Sequence, residues 1–212
     1  MNDLKILVLQ QWQYPLILTL LITLFYALTL SIQNAQVVRF DQSILTWFHH
    51  IRAPWLDTYF SSVTWLGSLW LLIPLYIGYI ILYGSSNPLM AKMFTLIFWG
   101  SIITTYALKY LLERKRPHFF TPLHELPIDP SFPSAHSAQI AAFTIGLGIS
   151  VLSSNSEVQN TLLTILAVIA LSVFASRIYL QVHFPTDIIA GVMVALAWTT
   201  ITLWIIKTGT QQ

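Results

Sequence analysis

The chain of 212 residues has no cysteine, and this absence excludes several kinds of chemistry. Without a thiol there is no disulfide framework, no thiolate nucleophile and no metal site with cysteine ligands. Charged side chains are also scarce, at 8% of the sequence, and the net charge of +2 gives no indication of a nucleic-acid partner. Internal repeats and low-complexity segments are absent as well, so we expect one domain over residues 1–212.

Apolar residues dominate instead. Hydrophobic residues make up 56% of the chain and aromatic residues 14%, and the mean hydropathy of +0.69 is higher than a soluble domain tolerates. A hydrocarbon core about 30 Å thick needs roughly 20 apolar residues for each helix. Six such runs occur, at residues 15–32, 65–83, 90–112, 135–152, 161–180 and 184–206. They predict an all-α, polytopic membrane protein with six transmembrane helices.

The first run could instead be a cleaved signal peptide. Its basic flank contains only Lys5, and no clear cleavage site with small residues follows it. We therefore expect an uncleaved membrane helix.

The segment between the first two runs, residues 37–55, is amphipathic. Apolar residues recur at helical spacing, and most polar residues lie elsewhere on the wheel. The apolar set is Ile44, Leu45, Phe48, Ile51 and Trp55, and the polar set is Asp41, His49, His50 and Arg52. This pattern predicts a helix in the membrane interface. The His49–His50 pair could be a metal site, but adjacent helical side chains diverge and no third ligand is nearby, so interfacial polar residues are the favoured interpretation.

Two polar segments are expected to meet on one face of the membrane. Alternate loops of a six-helix chain lie on the same side, so residues 113–136 share a face with residues 176–187. The first segment also carries most of the remaining charge. We therefore expect the chemistry of the protein at this face.

Two cations near the end of the third run are separated by two helical turns. Lys109 and Arg116 are seven residues apart, and Pro117 predicts that the helix stops at Arg116, so both side chains should point to one place. Lys109 lies inside the apolar run, where an unpaired ammonium group costs at least ~2.5 kcal/mol, so an ordinary flanking role fits it poorly. Arg114 and Lys115 do fit the usual pattern of cations at the lipid interface.

The fourth run opens with Pro133, Ser134, Ala135 and His136. The proline suits the first helical turn and leaves the amides of residues 134–136 free at the positive end of the helix dipole, which binds anions. A lone serine or histidine there is commonly a cap or an interfacial residue. Opposite Lys109 and Arg116, these residues indicate an oxyanion site.

The connection before the sixth run carries Arg177, His183 and Asp187. Asp187 follows His183 by four residues, so its carboxylate can hydrogen-bond one ring nitrogen, fix the tautomer and leave the other nitrogen free. An oriented imidazole beside an anion site is a nucleophile or a base. Taken alone, the segment would also fit a structural ion pair between Arg177 and Asp187, with His183 only occupying space beside it.

Three motifs match, in order and spacing, the signature of the type 2 phosphatidic acid phosphatase superfamily, and the chain resembles its six-helix bacterial membrane branch. The motifs are Lys109-x6-Arg116-Pro117, Pro133-Ser134-Ala135-His136 and Ser176-Arg177-x5-His183-x3-Asp187. One position departs from the pattern. The family usually has glycine where this chain has Ala135, whose backbone amide can still donate if its dihedral angles suit.

The resemblance implies a metal-independent lipid phosphatase without a cofactor. His183 would attack phosphorus to form a phosphohistidine, Asp187 would orient it, and His136 would protonate the leaving oxygen. The phosphoryl oxygens would be held by Lys109, Arg116, Ser134, the Ala135 amide and Arg177. Residue chemistry agrees, because phosphate needs several cations and donors, and two histidines can divide the nucleophile and acid roles near neutral pH.

Other functions remain open at this point. A channel or transporter also uses intramembrane charge, although it does not require this order of residues at helix ends. A lipid phosphotransferase would form the same phosphohistidine and pass the group to an alcohol instead of water. The vanadate-dependent haloperoxidases of the superfamily are larger soluble proteins, and six spans in 212 residues argue against them.

The sequence predicts the class of substrate, a lipid phosphate, but not the individual lipid. The motifs are compatible with undecaprenyl diphosphate, phosphatidylglycerophosphate and phosphatidic acid, and resemblance to small bacterial members favours the first two. The expected partners are this lipid phosphate and the bilayer, with no nucleic acid and no obligate protein partner.

Two arguments about membrane orientation disagree. The catalytic side carries seven Lys and Arg residues against three on the other side, so the positive-inside rule would place the site in the cytoplasm. Removing Lys109, Arg116 and Arg177, which phosphate explains, leaves four against three. Bacterial lipid phosphatases that resemble this chain generally act on the outer face of the inner membrane. We therefore expect cytoplasmic termini, with His136 and His183 facing the periplasm or the exterior.

Overall fold

The computed structural model describes residues 9–123, 125–152 and 158–209, and the regular elements in these ranges are helices without any strand. This confirms the predicted all-α class. A short 3-10 turn, Thr64–Gly67, joins the third and fourth helices. The helices are α1 (Gln13–Ser31), α2 (Ala35–His50), α3 (Pro54–Val63), α4 (Leu69–Tyr83), α5 (Pro88–Leu112), α6 (Ala135–Leu152), α7 (Gln159–Tyr179) and α8 (Pro185–Gly209).

Five of the described helices, α1, α5, α6, α7 and α8, are long and apolar enough to cross a membrane, and each corresponds to a predicted run. The second predicted run, residues 65–83, differs. Its main helix α4 has only 15 residues and meets the preceding segment Pro54–Gly67 at a bend of 45°, so a sixth span exists only if both are counted together. The bend lies at Ser68, whose backbone is extended and whose hydroxyl accepts a hydrogen bond from the Trp70 amide at 3.2 Å.

The predicted interfacial helix is two helices. Asn34 caps α2 by accepting a hydrogen bond from the Gln36 amide at 2.8 Å, and α3 starts after a break with Pro54 in its first turn. The assignment of Asp41 to the polar side of this segment is wrong, because its side chain is buried beside that of Leu45. The two residues are four apart and therefore share the inner face of α2.

The end of α5 also differs from its prediction. The helix ends at Leu112, and Glu113 follows it in the left-handed region with φ 45°. Arg116 therefore lies in the irregular segment after the helix, and the prediction that it shares a helix face with Lys109 is wrong. Pro117 restricts only the residue before it, so it does not decide where the helix stops.

Helix α6 packs against α5, α7 and α8, and two glycines permit close contacts at its first turns. A Cβ atom on Gly191 of α8 would lie 2.6 Å from the Ser134 carbonyl oxygen. A Cβ atom on Gly67 would lie 2.7 Å from Val173 Cγ1 and 3.4 Å from the ring of His136. Backbone-close packing at both positions fixes where α6 presents its first residues.

Candidate active site

The two polar segments meet at the ends of α5, α6, α7 and α8. Arg116 Nη1 donates a hydrogen bond to the Val182 carbonyl at 2.8 Å, which joins the loop before α6 to the connection before α8. The Ser134 amide donates to the Asp187 carbonyl at 2.9 Å. These contacts confirm the predicted convergence and bring all three motifs into one site.

His183 is held at both ring nitrogens. Its Nε2 lies 3.2 Å from Arg116 Nη1, and its Nδ1 lies 3.3 Å from Asp187 Oδ2. Because a guanidinium can only donate, Nε2 is the acceptor and Nδ1 carries the proton. Burial, reinforced by the charges of Arg116, Arg177 and Lys109, holds the pKa of His183 well below its ordinary value. The ring is therefore a neutral imidazole whose unprotonated nitrogen, Nε2, faces Arg116.

Asp187 is saturated with hydrogen-bond donors. Its Oδ2 accepts from the Phe184 amide at 2.9 Å and from the Ser131 hydroxyl, and the Ser131 oxygen also lies 3.3 Å from His183 Nδ1. Its Oδ1 accepts from Arg114 Nη1 at 2.6 Å. The side chain is fully buried, so these contacts replace all of its hydration.

Arg114 does not lie at the lipid interface, and that prediction is wrong. Its Nη1 bonds Asp187, and its Nη2 pairs with Asp41 Oδ2 at 2.9 Å, with the side chain only 10% exposed. The early end of α5 turns Arg114 inward toward α2 and α8. Lys115, the next residue, remains exposed as expected. We call His183, Asp187, Ser131, Arg114 and Asp41 the histidine cluster.

Lys109 and Arg116 do meet, on a carboxylate that the sequence did not single out. Asp129 Oδ2 lies 2.7 Å from Lys109 Nζ, and its Oδ1 lies 2.7 Å from Arg116 Nη2. Burial alone would raise the pKa of Asp129, but the hydrogen bonds and charges of Lys109 and Arg116 outweigh it and hold that pKa below its ordinary value. We call Lys109, Arg116 and Asp129 the cation cluster.

The first turn of α6 supplies polar groups beside these clusters. Ser134 behaves as a cap, since its Oγ lies 3.4 Å from the Ser137 amide and accepts from the Ser137 hydroxyl at 3.0 Å. The prediction of three free amides is wrong for Ser134, because its N–H is bonded to Asp187. The amide of Ala135 and the ring of His136 have no hydrogen-bond partner within the described part of the chain.

Arg177 lies in the last turn of α7, and its side chain is buried. Its Nη1 donates to the Thr64 hydroxyl at 2.6 Å, and its carbonyl accepts from the amides of Val182 and His183, which shapes the turn before α8. Its Nε is buried without a hydrogen-bond partner among the described residues. An unsatisfied buried donor of this kind is costly unless a ligand completes it.

The His49–His50 pair contacts other protein groups, and His49 Nδ1 is buried without a hydrogen-bond partner among the described residues. The ring of His49 stacks on Phe120 at 4.0 Å between centroids, and His50 Nδ1 bonds the Thr46 carbonyl at 2.8 Å. Over residues 9–123, 125–152 and 158–209, no three His, Asp or Glu side chains are grouped as metal ligands.

Sequence reasoning missed Asp41, Asp129, Ser131 and Arg114 as parts of the site. One signal was available, because Asp41, Leu45 and Phe48 follow the i, i+4, i+7 spacing of one helix face. An acidic residue in line with an apolar stripe requires a buried cation. The partner itself, 73 residues later, carries no such signal in the sequence.

Comparison with known proteins finds matches along most of the chain. The profile of the PAP2 superfamily matches residues 88–211. Phosphatidylglycerophosphatase B of Bacillus subtilis (strain 168) is 31% identical over 183 residues, which are 81% of this chain and 86% of the relative.

Two solved structures are similar in fold and sequence. A transmembrane PAP2 type phosphatidylglycerolphosphate phosphatase from Bacillus subtilis superposes with a TM-score of 0.79 at 27% identity, over 90% of this chain and 96% of that one. Aquifex aeolicus LpxE superposes with a TM-score of 0.60 at 26% identity, over 76% of this chain and 93% of that one.

Proposed function

We propose, from the premise that this chain belongs to the PAP2 superfamily and is a membrane-embedded lipid phosphatase, that it acts through a phosphohistidine formed on His183. The matched residues, 88–211, include every signature residue from Lys109 to Asp187, and the predictions of family and of phosphatase activity are confirmed. The single observation that carries the proposed intermediate is the double restraint of the His183 ring, with its Nδ1 proton at Asp187 and its unprotonated Nε2 at Arg116.

Phosphoryl transfer then proceeds in two steps. Nε2 of His183 attacks phosphorus while the bond to the leaving oxygen breaks, and His136 donates its proton to that oxygen. Water next attacks the phosphohistidine, the P–N bond breaks, and His136 takes the proton of the water. Asp187 stays ionised and compensates the charge that develops on the ring of His183.

The phosphoryl oxygens would be held by Lys109, Arg116, Ser134, the Ala135 amide and Arg177. The buried, unpartnered Nε of Arg177 and the free amide of Ala135 support this set, because both are donors that a phosphate oxygen would complete. Ser134 would contribute through the hydroxyl that now caps α6.

Asp129 pairs with two of these cations, Lys109 and Arg116. A phosphate that binds Lys109 and Arg116 would compete with the Asp129 carboxylate, which is an anion that accepts from the same donors.

Phosphatidylglycerophosphate is the first substrate to test. It is the lipid named both for the Bacillus subtilis relative and for the Bacillus subtilis structure that this chain resembles, and it is one of the two substrates that the sequence favours. Undecaprenyl diphosphate is the second. No cofactor or metal enters the proposed chemistry, so the rate should be unchanged in EDTA.

We also propose that the protein is a single domain in the bacterial inner membrane, with His136 and His183 toward the periplasm or the exterior. The pairing of Arg114 with Asp41 and Asp187 removes one more cation from the orientation count. Three then remain on each side, namely Arg39, Arg52 and Lys115 against Lys5, Lys92 and Lys207, and Lys5 lies outside the described residues.

Cysteine labelling tests this orientation, since the chain has no native cysteine. Asn155, opposite Thr121 in the predicted topology, lies outside the described residues, and exposed Ser86 between α4 and α5 serves the same purpose. A membrane-impermeant thiol reagent on intact cells should label Thr121→Cys and spare Ser86→Cys. The reverse pattern would place the site in the cytoplasm.

The activity itself is tested by phosphate release from a panel of three lipids: phosphatidylglycerophosphate, undecaprenyl diphosphate and phosphatidic acid. We expect the purified protein to release phosphate from the first lipid fastest, and His183→Ala to release none. Equal release by His183→Ala would contradict the proposed nucleophile. Phosphate release from only one of the other two lipids would contradict the proposed substrate but not the assignment of His183 as nucleophile.

A further inference from the structure

Arg114 bridges two fully buried carboxylates on different helices. Its Nη1 lies 2.6 Å from Asp187 Oδ1 on α8, and its Nη2 lies 2.9 Å from Asp41 Oδ2 on α2. Its guanidinium carbon also lies 4.0 Å from the ring centre of Phe184, which covers the cation from one side. Arg114 contacts Asp187 but contacts neither the ring of His183 nor Lys109 or Asp129 of the cation cluster.

Because Arg114 binds one oxygen of Asp187, the two carboxylate oxygens have different partners. Oδ1 receives Arg114 Nη1, and Oδ2 receives the Phe184 amide, the Ser131 hydroxyl and the Nδ1 side of His183. With Oδ1 fixed, Oδ2 is the oxygen that faces the histidine. A carboxylate sealed from water also stays charged only when a cation is near, and Arg114 is the cation bonded to it.

Asp41 in turn holds the start of α8. Its Oδ1 accepts from the Thr186 amide at 3.1 Å, and its Oδ2 accepts from the Thr186 hydroxyl at 2.7 Å as well as from Arg114. A carboxylate at the first turn of a helix satisfies free amides and interacts favourably with the helix dipole. Helix α2 therefore fixes both Arg114 and the turn that carries Asp187.

We propose that Arg114 is a positioning residue for phosphoryl transfer, acting through Asp187, and that Asp41 of α2 holds Arg114 in place. This inference rests on the proposed role of His183 as nucleophile. Arg114 keeps Asp187 ionised and aimed at Nδ1, so it affects the reactivity of Nε2 without touching the phosphate. Its loss should lower the rate of phosphohistidine formation and leave substrate binding intact.

The first test separates kcat from KM. Arg114→Gln should lower kcat about 10- to 100-fold, by analogy with residues that orient the ligands of a metal site, with KM and inhibition by inorganic phosphate unchanged. Arg114→Lys should recover part of the loss, since one ammonium group can still pair with Asp187. Lys115→Ala is the matched control, because this exposed neighbour should leave kcat unchanged.

A double-mutant cycle identifies the route of the effect. If Arg114 acts through Asp187, Arg114→Gln should have almost no further effect on kcat in an Asp187→Asn background. Asp41→Asn should reproduce the pattern of Arg114→Gln more weakly. Additive losses with Asp187→Asn, a raised KM, or variants that no longer bind inorganic phosphate would each overturn the proposal and make Arg114 a residue of the fold. Full loss of activity in His183→Ala with normal kcat in Arg114→Gln would overturn this inference alone.

Discussion

The two charged clusters of the site hold their carboxylates in different ways. Asp129 of the cation cluster lies on a loop and its side chain is 26% exposed, whereas Asp41 and Asp187 of the histidine cluster lie on helices and are fully buried. Water and dissolved anions can reach the Asp129 carboxylate. Removing Asp41 or Asp187 from its pair would leave buried Arg114 without that partner, which is strongly destabilising. The contrast separates an accessible carboxylate at the proposed phosphate site, the exchangeable part, from two sealed carboxylates beside the proposed nucleophile, the fixed part.

Arg116 joins the two clusters. One end of its guanidinium group pairs with Asp129, and the other lies at Nε2 of His183 and at the Val182 carbonyl. A phosphate that replaced Asp129 at this side chain would therefore arrive beside the nucleophilic nitrogen. The exchangeable and the fixed parts are thus adjacent at the atom where the bond should form.

The largest effect is expected within the fixed part. Asp187→Asn preserves shape but removes the charge that orients His183, and we expect kcat to fall about 10⁴-fold, as it does for the orienting aspartate of a serine protease. Inhibition by inorganic phosphate should persist, because the cation cluster is intact. A loss smaller than about tenfold would show that the buried carboxylate is not what prepares the histidine.

Removing the cations should cost less than this. Lys109→Ala, Arg116→Ala and Arg177→Ala should each raise the barrier in kcat/KM by ~3 to 4 kcal/mol, by analogy with other donors to a developing oxyanion. Lys115→Ala, on the same segment but exposed, should cost little. Equal losses in Lys115→Ala and Arg116→Ala would contradict the division between phosphate ligands and interface.

The exchangeable carboxylate should give a smaller effect of opposite sign. Asp129→Asn removes the anion that competes for Lys109 and Arg116, so inorganic phosphate should inhibit more strongly, by roughly tenfold if one charged hydrogen bond contributes about 1.5 kcal/mol. Glu125→Gln, an exposed carboxylate on the same loop, is the control. Weaker inhibition in Asp129→Asn would mean that this carboxylate organises the cations and does not compete with phosphate.

A stability measurement sharpens the contrast further. Because the pKa of His183 is lowered in the fold, the unfolded chain takes up a proton near pH 6.5 that the folded protein does not. The free energy of unfolding is therefore highest above about pH 6.5, where His183 is neutral in both states. It falls as the pH is lowered, by at most about 1.4 kcal/mol per pH unit from His183. Thermal unfolding in detergent from pH 8 to pH 5 should show a smaller decline for His183→Gln than for wild type. Exposed His50→Gln should behave as wild type does.

The sequence predicted the helices better than the residues between them. Run lengths and hydropathy located α1 and α5 to α8, and α6 spans the expected residues 135–152. The extended Ser68 at the bend and the left-handed Glu113 were missed because the backbone conformation of a single residue leaves no trace in hydropathy. Each changed the direction of the chain near the site.

Only the contacts between residues close in the sequence could be predicted within the site. His183 and Asp187 are four residues apart, so their contact follows from helical geometry. Asp129 and Arg114 were missed because their pairings span 13 to 73 residues and depend on how the helices and the long loop pack. The signature therefore identified the cations that we propose bind phosphate, but not the carboxylates that pair with them.

The most direct test of the central claim is to trap the intermediate. Wild-type protein quenched during turnover of lipid labelled in its phosphate should carry label that is stable in base, labile in acid, and located on the peptide containing His183. Asp187→Asn and Arg114→Gln should form the same label more slowly, and His183→Ala should form none. Label that persists in His183→Ala, or that maps to another residue, would contradict the account.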